Sequence, residues 1–472
     1  MTYGDGFIRS AKSGFHDFLK CVPTVYLFVF FSIAANAAEK QPSANNWLRE
    51  GRPLPLILTE KKVQKAFDPG APPKTRIKIT ENLRFGARLD IEGTLEKNYD
   101  LDAENPDDLA VLDPVLSLAL LYKPHKNIEA FTNIEPYRRF VYDEEQKKKS
   151  KNRINILQAY IAFKGIGDGL TLKVGRQRFK DKREWLYDEE LDGIRLFYTL
   201  PQAVFDFSIS EKKHKDIVNP GKDGNATNYV FSATYAPNKD REFSAYTFIR
   251  NDRSGKDDNP VFFGGHLSVE EPNTLEYWLE FANVQGKEGP KSLNGSGVDV
   301  GFSFGGSRRR TKINLPYKPY ISLSYAFGTG DQNPDDDVDT NFRQTGYQDN
   351  DAKYKGVARV KYYGEMFDPE LSNMGIFTAA LGLKPRRKTS IDLVYHYYHQ
   401  QVPYYKIRDA KVDEDPDGKN MFLGQEVDFV AGYKGKKNLK LSLVLAYFFP
   451  GAAFTKDNDV AMFAELKIRY EF

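Results

Sequence analysis

The stretch Val460–Phe472, VAMFAELKIRYEF, decides how this chain is read. Every second residue is apolar: Val460, Met462, Ala464, Leu466, Ile468, Tyr470 and Phe472. Between them stand Ala461, Phe463, Glu465, Lys467, Arg469 and Glu471. A strand points successive side chains to opposite faces, so the two sets separate into an apolar face and a charged face. The first suits lipid and the second water, and an aromatic closes the pattern, as in the last strand of a transmembrane β-barrel. A half-buried strand of a soluble sandwich carries the same alternation, so the rest of the chain has to decide.

The N-terminus points to export. Arg9, Lys12 and Lys20 precede an apolar run from Val22 to Ala35 that is too short to cross a bilayer, and Ala35-Asn36-Ala37 is a small-residue cleavage site. Residues 1–37 therefore read as a signal peptide. The single cysteine, Cys21, lies inside it, so the processed chain is expected to carry no disulfide and no thiol nucleophile. The 28 Tyr and 34 Phe suit strands and the aromatic girdles of a membrane barrel. A net charge of +3 gives no support for nucleic-acid binding. Residues 38–74, polar and proline-bearing, read as a periplasmic leader, and the barrel is expected over 75–472.

A first strand is expected over Thr75–Thr94, with Ile77, Ile79, Leu83, Phe85, Ala87, Leu89 and Ile91 on one face. The same period recurs in Leu116/Leu118/Leu120/Tyr122, Leu157/Ala159/Ile161/Phe163, Ile194/Leu196/Tyr198/Leu200, Leu275/Tyr277/Leu279/Phe281 and onward to Leu439–Tyr447. Short turns, among them Lys123–Asn127, Gly165–Gly169, Pro201–Ala203 and Pro385–Lys388, alternate with long polar loops. That is periplasmic turn against outer loop. Nineteen candidate strands emerge, and a single-chain bacterial barrel needs an even number. The phase of the turns leaves no crossing for Val357–Tyr363, so all of 329–373 becomes one outer loop. The reading is all-β: an 18-stranded antiparallel transmembrane outer-membrane β-barrel, wide enough for an aqueous channel.

Arg84, Arg88, Arg139, Arg195 and Arg250 fall on the water-facing phase. Arginine facing mid-bilayer lipid costs roughly 2–4 kcal/mol, so these side chains are expected in the lumen or near an interface. There they would attract anions, carboxylates above all. Asp90, Glu135, Glu276, Glu280, Glu426 and Asp428 are available to pair with them, and both roles are expected. The acidic outer segments Asp331–Asp339 and Asp413–Asp417 lack the spacing of an EF-hand loop and read as solvated. His266 and His396 fall inside and His399 outside, with Ser268 two residues from His266 and Asp392 on the same face as His396, four residues away. A barrel hydrolase would need a nucleophile beside such a histidine. No Walker loop, zinc motif or nucleotide fingerprint is present, and no metal, cofactor or catalytic residue is expected.

Gly175-Arg176-Gln177-Arg178-Phe179, with Trp185-Leu186-Tyr187-Asp188 and Leu191-Asp192-Gly193-Ile194-Arg195, resembles the signature hairpin of the alginate export family. Tyr362-Tyr363-Gly364-Glu365, Pro369–Asn373, Leu423–Asp428 and Phe449-Pro450-Gly451 are similar to that family's long outer loop and last strands, and the likeness spans about 75–472. The resemblance implies an electropositive constriction that passes an anionic polyuronate outward. It places Arg176, Arg178, Asp192 and Arg195 there, with Glu426 and Asp428 facing them. Arg176 and Arg178 nevertheless share the parity of the lipid-facing Leu170, Leu172 and Val174. Either a bulge at Gly175, the preferred resolution, flips the register, or the two arginines sit at the mouth. The family's long periplasmic plug turn near the barrel's end has no counterpart in Gly435–Asn438; the longest periplasmic turn is Gly306–Tyr317.

The expected function is an outer-membrane channel for an anionic polysaccharide or another carboxylate solute, set in outer-membrane lipid and leaving room for a periplasmic secretion partner. A general anion-preferring porin and a barrel hydrolase are the alternatives.

Overall fold

The computed structural model describes residues 71–102, 108–142, 148–218, 221, 224–270, 275–305, 316–435, 438–454 and 459–472. The signal peptide, most of the leader and most of the Gly306–Tyr317 turn lie outside the described residues. Eighteen long strands run in chain order. They are β1 (Leu83–Lys97), β2 (Leu109–His125), β3 (Ile128–Tyr142), β4 (Lys148–Lys164), β5 (Leu170–Lys180) and β6 (Asp188–Thr199). Then come β7 (Ala203–Glu211), β8 (Ala226–Asn238), β9 (Arg241–Asp252), β10 (Asp258–Glu270), β11 (Leu275–Glu288) and β12 (Lys291–Gly305). The last six are β13 (Tyr320–Gly328), β14 (Met374–Arg386), β15 (Thr389–Gln400), β16 (Phe422–Lys434), β17 (Leu439–Pro450) and β18 (Ala461–Glu471). Each pairs antiparallel with its neighbour in sequence, and β18 returns to β1 through Leu89↔Tyr470 and Ile91↔Ile468, which closes the barrel. Closure removes every unpaired sheet edge, the condition for strands in lipid.

The alternation in the sequence becomes the two walls. Leu466, Tyr470 and Phe472 are exposed on the outside while Lys467, Arg469 and Glu471 are buried inside. Leu275, Tyr277, Leu279 and Phe281 of β11 face out, and Trp278, Glu280, Ala282 and Val284 face in. His399 lies on the outer face against Tyr325. The first strand begins later than its pattern suggests. The chain turns at residues 79–82, the Thr80 Oγ1 accepts from Leu83 N at 3.1 Å, and Ile77–Lys78 folds back to pair with Phe85 and Arg84. Local turn chemistry wins there over a continuing period of two. Just before it, Ala71–Lys74 reaches the inner wall: Arg88 donates to the Ala71 carbonyl, and Lys74 pairs with Glu471 at 3.2 Å.

Residues 329–373 do form one connection between β13 and β14. This segment does not stand away from the barrel as a solvated loop. Phe342, Tyr362, Tyr363, Met366, Phe367 and Leu371 are all almost wholly buried, and the segment descends inside the barrel. Val357 N donates to Ser390 Oγ at 2.8 Å and Lys355 pairs with Glu276 at 3.1 Å. Ser390 and Glu276 are the second residues of β15 and β11, at their periplasmic ends, about 33 Å of strand below the far end of β15 at ~3.3 Å per residue. The fold makes room for it: a Cβ on Gly297 of β12 would lie 2.4 Å from the Phe342 ring.

Candidate functional site: a lumen partly filled by its own outer loop

The inward segment seats on the inner rows of β9–β17. Apolar side chains of those rows supply much of the seat: Val394, Val430, Val444, Ala446 and Phe448 all point inward and are buried, with buried polar groups such as Glu280, Asp299, His396 and Glu426 between them. Phe367 stacks on Phe448 at 4.7 Å and meets Tyr398 edge-on at 4.7 Å. Glu426 holds the turn above it, accepting from Met366 N at 2.8 Å, Phe367 N at 2.9 Å and Tyr398 Oη at 3.1 Å. A second outer connection, residues 181–187, packs against the first. Trp185 Nε1 donates to Tyr363 Oη at 2.8 Å, and its ring stacks on Phe342 at 5.8 Å. The Arg183 guanidinium lies between the rings of Trp278 (4.2 Å) and Tyr362 (4.3 Å), 3.4 Å from Asp299. Burial pushes the Glu365 carboxyl up to about 8 and the Asp181 carboxyl up to about 6, and it pushes the Lys353 ammonium down to about 7, helped by Arg359.

The other part of the lumen wall, β18 and β1–β8, carries the ion-paired rows, with Phe179, Leu191 and Val230 buried toward its β5–β8 side. Arg469 donates to Asp90 at 2.6 Å, Arg88 to Asp90 at 2.6 Å and to Glu135 at 3.2 Å, so a charge chain crosses β18, β1 and β3. Arg139 grips both oxygens of Asp113, Nη2 to Oδ2 at 2.6 Å and Nε to Oδ1 at 3.1 Å, and Arg195 grips Asp206 in the same way at 2.5 and 3.2 Å. Such forks fix geometry as well as charge.

The sequence-chosen arginines therefore fall into four places. Arg88, Arg139 and Arg195 are in the polar lumen wall, each matched by an acid. Arg250 also points inward, 3.5 Å from Asp258, and donates to Thr345 O of the inward segment at 2.5 Å. Arg84 is exposed at the periplasmic start of β1. Arg176 and Arg178 do not turn inward. Gly175 takes a φ of +119°, but β5 pairs with β4 and β6 without a register shift, so there is no flipping bulge. Both arginines stay on the row of the exposed Val174 and Ile194. Arg176 pairs there with Asp192 at 2.5 Å and donates to the carbonyls of Ile156 and His214, and Arg178 pairs with Asp188. The segment carrying His214 replaces β5 beside β4 at that height, through Ile156 N→Lys215 O and Ile217 N→Ile154 O at 2.9 Å each. The hairpin's arginines thus hold the outer rim, and Glu426 and Asp428 do not face them. Asp428 meets His396 at 3.2 Å.

The inner histidines are held by acids and a threonine. His266 Nδ1 is 2.5 Å from Glu280, and His396 Nδ1 is 2.9 Å from Thr378 Oγ1. Ser268 accepts from Lys182 and Asp392 from Tyr320, so neither is drawn to a histidine in the described residues. Neither acidic outer segment gathers three ligand groups among the described residues. The one such group, Glu184, Asp188 and Asp349, is already matched by Lys180, Arg359 and Lys361. The residues that sequence reasoning missed are those of the inward seat. Their signal was the density of aromatics in YYGEMF and WLY, which a solvated loop does not need, and the two inner acids of β16 with no cation opposite them.

A closed 18-stranded barrel with an apolar outside and a charged inside is an outer-membrane channel protein of the porin type. The sequence profile of the alginate export family matches residues 81–465, and the chain belongs to that family. It is 27% identical over 172 residues to the alginate production protein AlgE of Azotobacter vinelandii, covering 30% of this chain and 34% of that protein. It is 26% identical over 185 residues to AlgE of Pseudomonas aeruginosa, covering 36% and 35%. The aligned part thus spans about a third of these curated relatives. In fold the chain is similar to OccK5 (OpdH) of Pseudomonas aeruginosa, with a TM-score of 0.55, 11% identity, and 84% of this chain and 99% of that one covered. OccAB3 of Acinetobacter baumannii gives 0.54, 13%, 82% and 99%.

Proposed function

We propose that this channel passes an anionic polysaccharide of the alginate type, or a smaller carboxylate solute, along the polar side of its lumen. The observation that carries the reading is the charge of the inner rows of β3–β5. Arg139, Lys149, Lys151, Arg153, Lys164 and Lys173 stand there against Glu129 and Glu135, six cations to two acids. The neighbouring rows of β18 and β1 hold Arg88, Lys467 and Arg469 against Asp90, Glu92, Glu465 and Glu471, paired mostly among themselves apart from Arg88's reach to Glu135 and Lys74's to Glu471. An anion moving between the mouths meets its cationic partners on β3–β5. The ammonium and guanidinium groups replace part of the hydration of a passing carboxylate, and Glu129 and Glu135 keep each contact weak enough to release it. Arg139 belongs to this wall, Arg88 and Arg195 brace it from either side, and Arg84 stands at the periplasmic mouth. Asp113, already clasped by Arg139, favours a second reading, a general anion-preferring porin, because it leaves less free charge to grip a polymer.

Purified protein in planar bilayers tests both. The proposal expects an anion-selective reversal potential in a salt gradient and a current that falls when polyuronate is added. Anion selectivity without polyuronate block leaves the general porin. Cation selectivity overturns the electrostatic argument.

A further inference from the structure

Low on the same wall, aromatic rings stand beside a cation. Phe131 of β3 and Tyr160 of β4 are directly paired across the strands, with ring centroids 5.4 Å apart and planes 34° apart. Lys173 of β5 lies 3.7 Å over the Tyr160 ring. All three are on inner rows and only partly buried. Opposite Tyr160 on β5 is Gly175, which adds no side chain above the ring. Two residues along the Phe131 row is Asn133, fully buried, and neither its Oδ1 nor its Nδ2 has a hydrogen-bond partner among the described residues. Buried amides are satisfied as a rule, and one with both ends unmet is a group waiting for a ligand hydroxyl or a water.

We infer that Phe131, Tyr160, Lys173 and Asn133 form a saccharide station, a subsite for one uronate residue of a passing chain. This rests on the channel reading above and adds the place and chemistry of binding. A uronate presents three surfaces: an apolar face of ring C–H groups, a rim of hydroxyls, and a carboxylate. The tilted Phe131 and Tyr160 rings match the first, as aromatic side chains supply large apolar area at small entropic cost. The Asn133 amide, donor and acceptor at once, matches the second. Lys173 matches the third, exchanging its contact with the Tyr160 face for a carboxylate, a stronger partner for an ammonium than a ring. A small inorganic anion has use for the lysine alone. The station therefore separates sugars from simple anions, which charge by itself does not.

The test is current block in planar bilayers by a short oligouronate and by a neutral oligosaccharide of equal length. Wild-type protein is compared with Phe131→Ala/Tyr160→Ala and with Lys173→Gln, each shown to be folded by its heat-dependent gel mobility. The double variant should weaken block by both sugars about tenfold or more while keeping the wild-type chloride selectivity. Lys173→Gln should weaken block by the oligouronate alone. Block as tight in the double variant as in the wild type overturns the station and leaves the channel reading standing. A wild-type channel that oligouronate does not block at any concentration removes the polysaccharide reading and leaves the general porin, and the station falls with it. Tyr160→Phe, which keeps the ring, should block like the wild type; if it weakens block as much as the alanine, stacking is not the mechanism.

Discussion

On one side of this barrel the inner rows read Val394, His396, Tyr398; Glu426, Asp428, Val430; Val444, Ala446, Phe448. On the other they read Arg88, Asp90, Glu92; Phe131, Asn133, Glu135; Lys164, Tyr160, Arg153. The first side is the inside of a protein core, and a 45-residue span of the chain's own outer loop, 329–373, is seated on it. The second is the inside of a channel. The two share one hydrogen-bonded cylinder, so the barrel fixes only that inner residues face inward. What they face, protein or solute, is set by the residues themselves. Burial of aromatics drives the loop onto β9–β17, while the inner rows of β18 and β1 are tied up in ion pairs such as Arg88–Asp90 and Arg469–Asp90.

The largest test of this division removes the loop. Replacing residues 344–371 with a short Gly/Ser linker should leave the barrel folded, because closure depends on strand pairing alone, and should raise single-channel conductance several-fold, toward that of an unobstructed barrel of this size. Unchanged conductance would mean that the ions already pass entirely along the polar side. The two halves would then be independent in function as well as in composition.

Next in size is a break in the polar wall. Arg88 is 3% exposed and ties Asp90, Ser117 and Glu135 together. Arg88→Ala leaves Glu135 without its guanidinium, and removing one partner of a buried pair costs about 3–5 kcal/mol. The low end applies here, since Arg469 remains on Asp90. The expected outcome is a lower unfolding temperature in detergent with little change in ion selectivity. A large selectivity change with unaltered stability would make Arg88 a transport residue and not a brace.

Glu426→Ala addresses the seat. The carboxylate takes two backbone N–H groups and one phenol, and hydrogen bonds to charged groups contribute about 1.5–3 kcal/mol each, not additively. Loosening the Met366–Phe367 turn should appear as frequent brief openings in single-channel records and as faster protease cleavage within 329–373. The loop should stay protected if the Phe367–Phe448–Tyr398 packing alone holds it, and that result would assign the seat to the aromatics.

The barrel was legible because a period of two is a direct consequence of strand geometry. Leu466, Ile468 and Tyr470 face out and Lys467, Arg469 and Glu471 face in because a one-residue slip would put charge into lipid. The strand count followed from turn phase, which also placed 329–373 outside the set of crossings. The path of that segment was not legible. Nothing in the order of Tyr362, Tyr363 and Phe367 says whether an aromatic run packs inward or pairs with a partner, since its seat is assembled from nine strands far apart in sequence. The bulge preferred for Arg176 and Arg178 failed for a related reason, and their other expected place, the outer mouth, is where they stand. Their parity was right, and the bulge invoked to bring them inside is absent, because carbonyls from the segment around His214 and the carboxylates of Asp192 and Asp188 satisfy them on the outer rim. The family likeness gave the fold of that hairpin without the direction of its charges.

A smaller effect is expected from pH. Glu365 is held at about 8 by burial, above an ordinary value of 4.5, so between these values the seated loop binds more protons than a displaced one. Stability then falls as pH rises through that window, by up to about 1.4 kcal/mol per unit for one group. Asp181 and Asp351, both pushed up by burial to about 6, act in the same direction at the acid end. Lys353, pushed down to about 7, opposes them only above that value, where the displaced loop binds the extra proton. Open probability should therefore rise from about pH 5 to about pH 7 and flatten beyond it. Glu365→Gln should flatten the rise, and a wild-type channel that closes over this range would show that the loop is not what titrates.

The smallest effect concerns the outer end of the cationic wall. Lys151 is exposed on the inner row of β4, opposite Arg139. It has no ion-pair partner among the described residues, so Lys151→Glu disturbs no packing, and the unfolding temperature should match the wild type. The charge acts on passing ions only within a Debye length, about 8–10 Å at ordinary salt. The shift in reversal potential toward cations should thus be modest at physiological ionic strength and grow as salt is diluted. Lys78→Glu, an equal charge change that is also exposed but lies on the folded-back strand at the periplasmic end and already pairs with Glu81, serves as the contrast. If both variants shift selectivity alike, anions respond to the net charge of the whole barrel. If Lys151 alone does so, they follow the β3–β5 wall, and the division of the lumen into a core side and a channel side extends to the path of the solute.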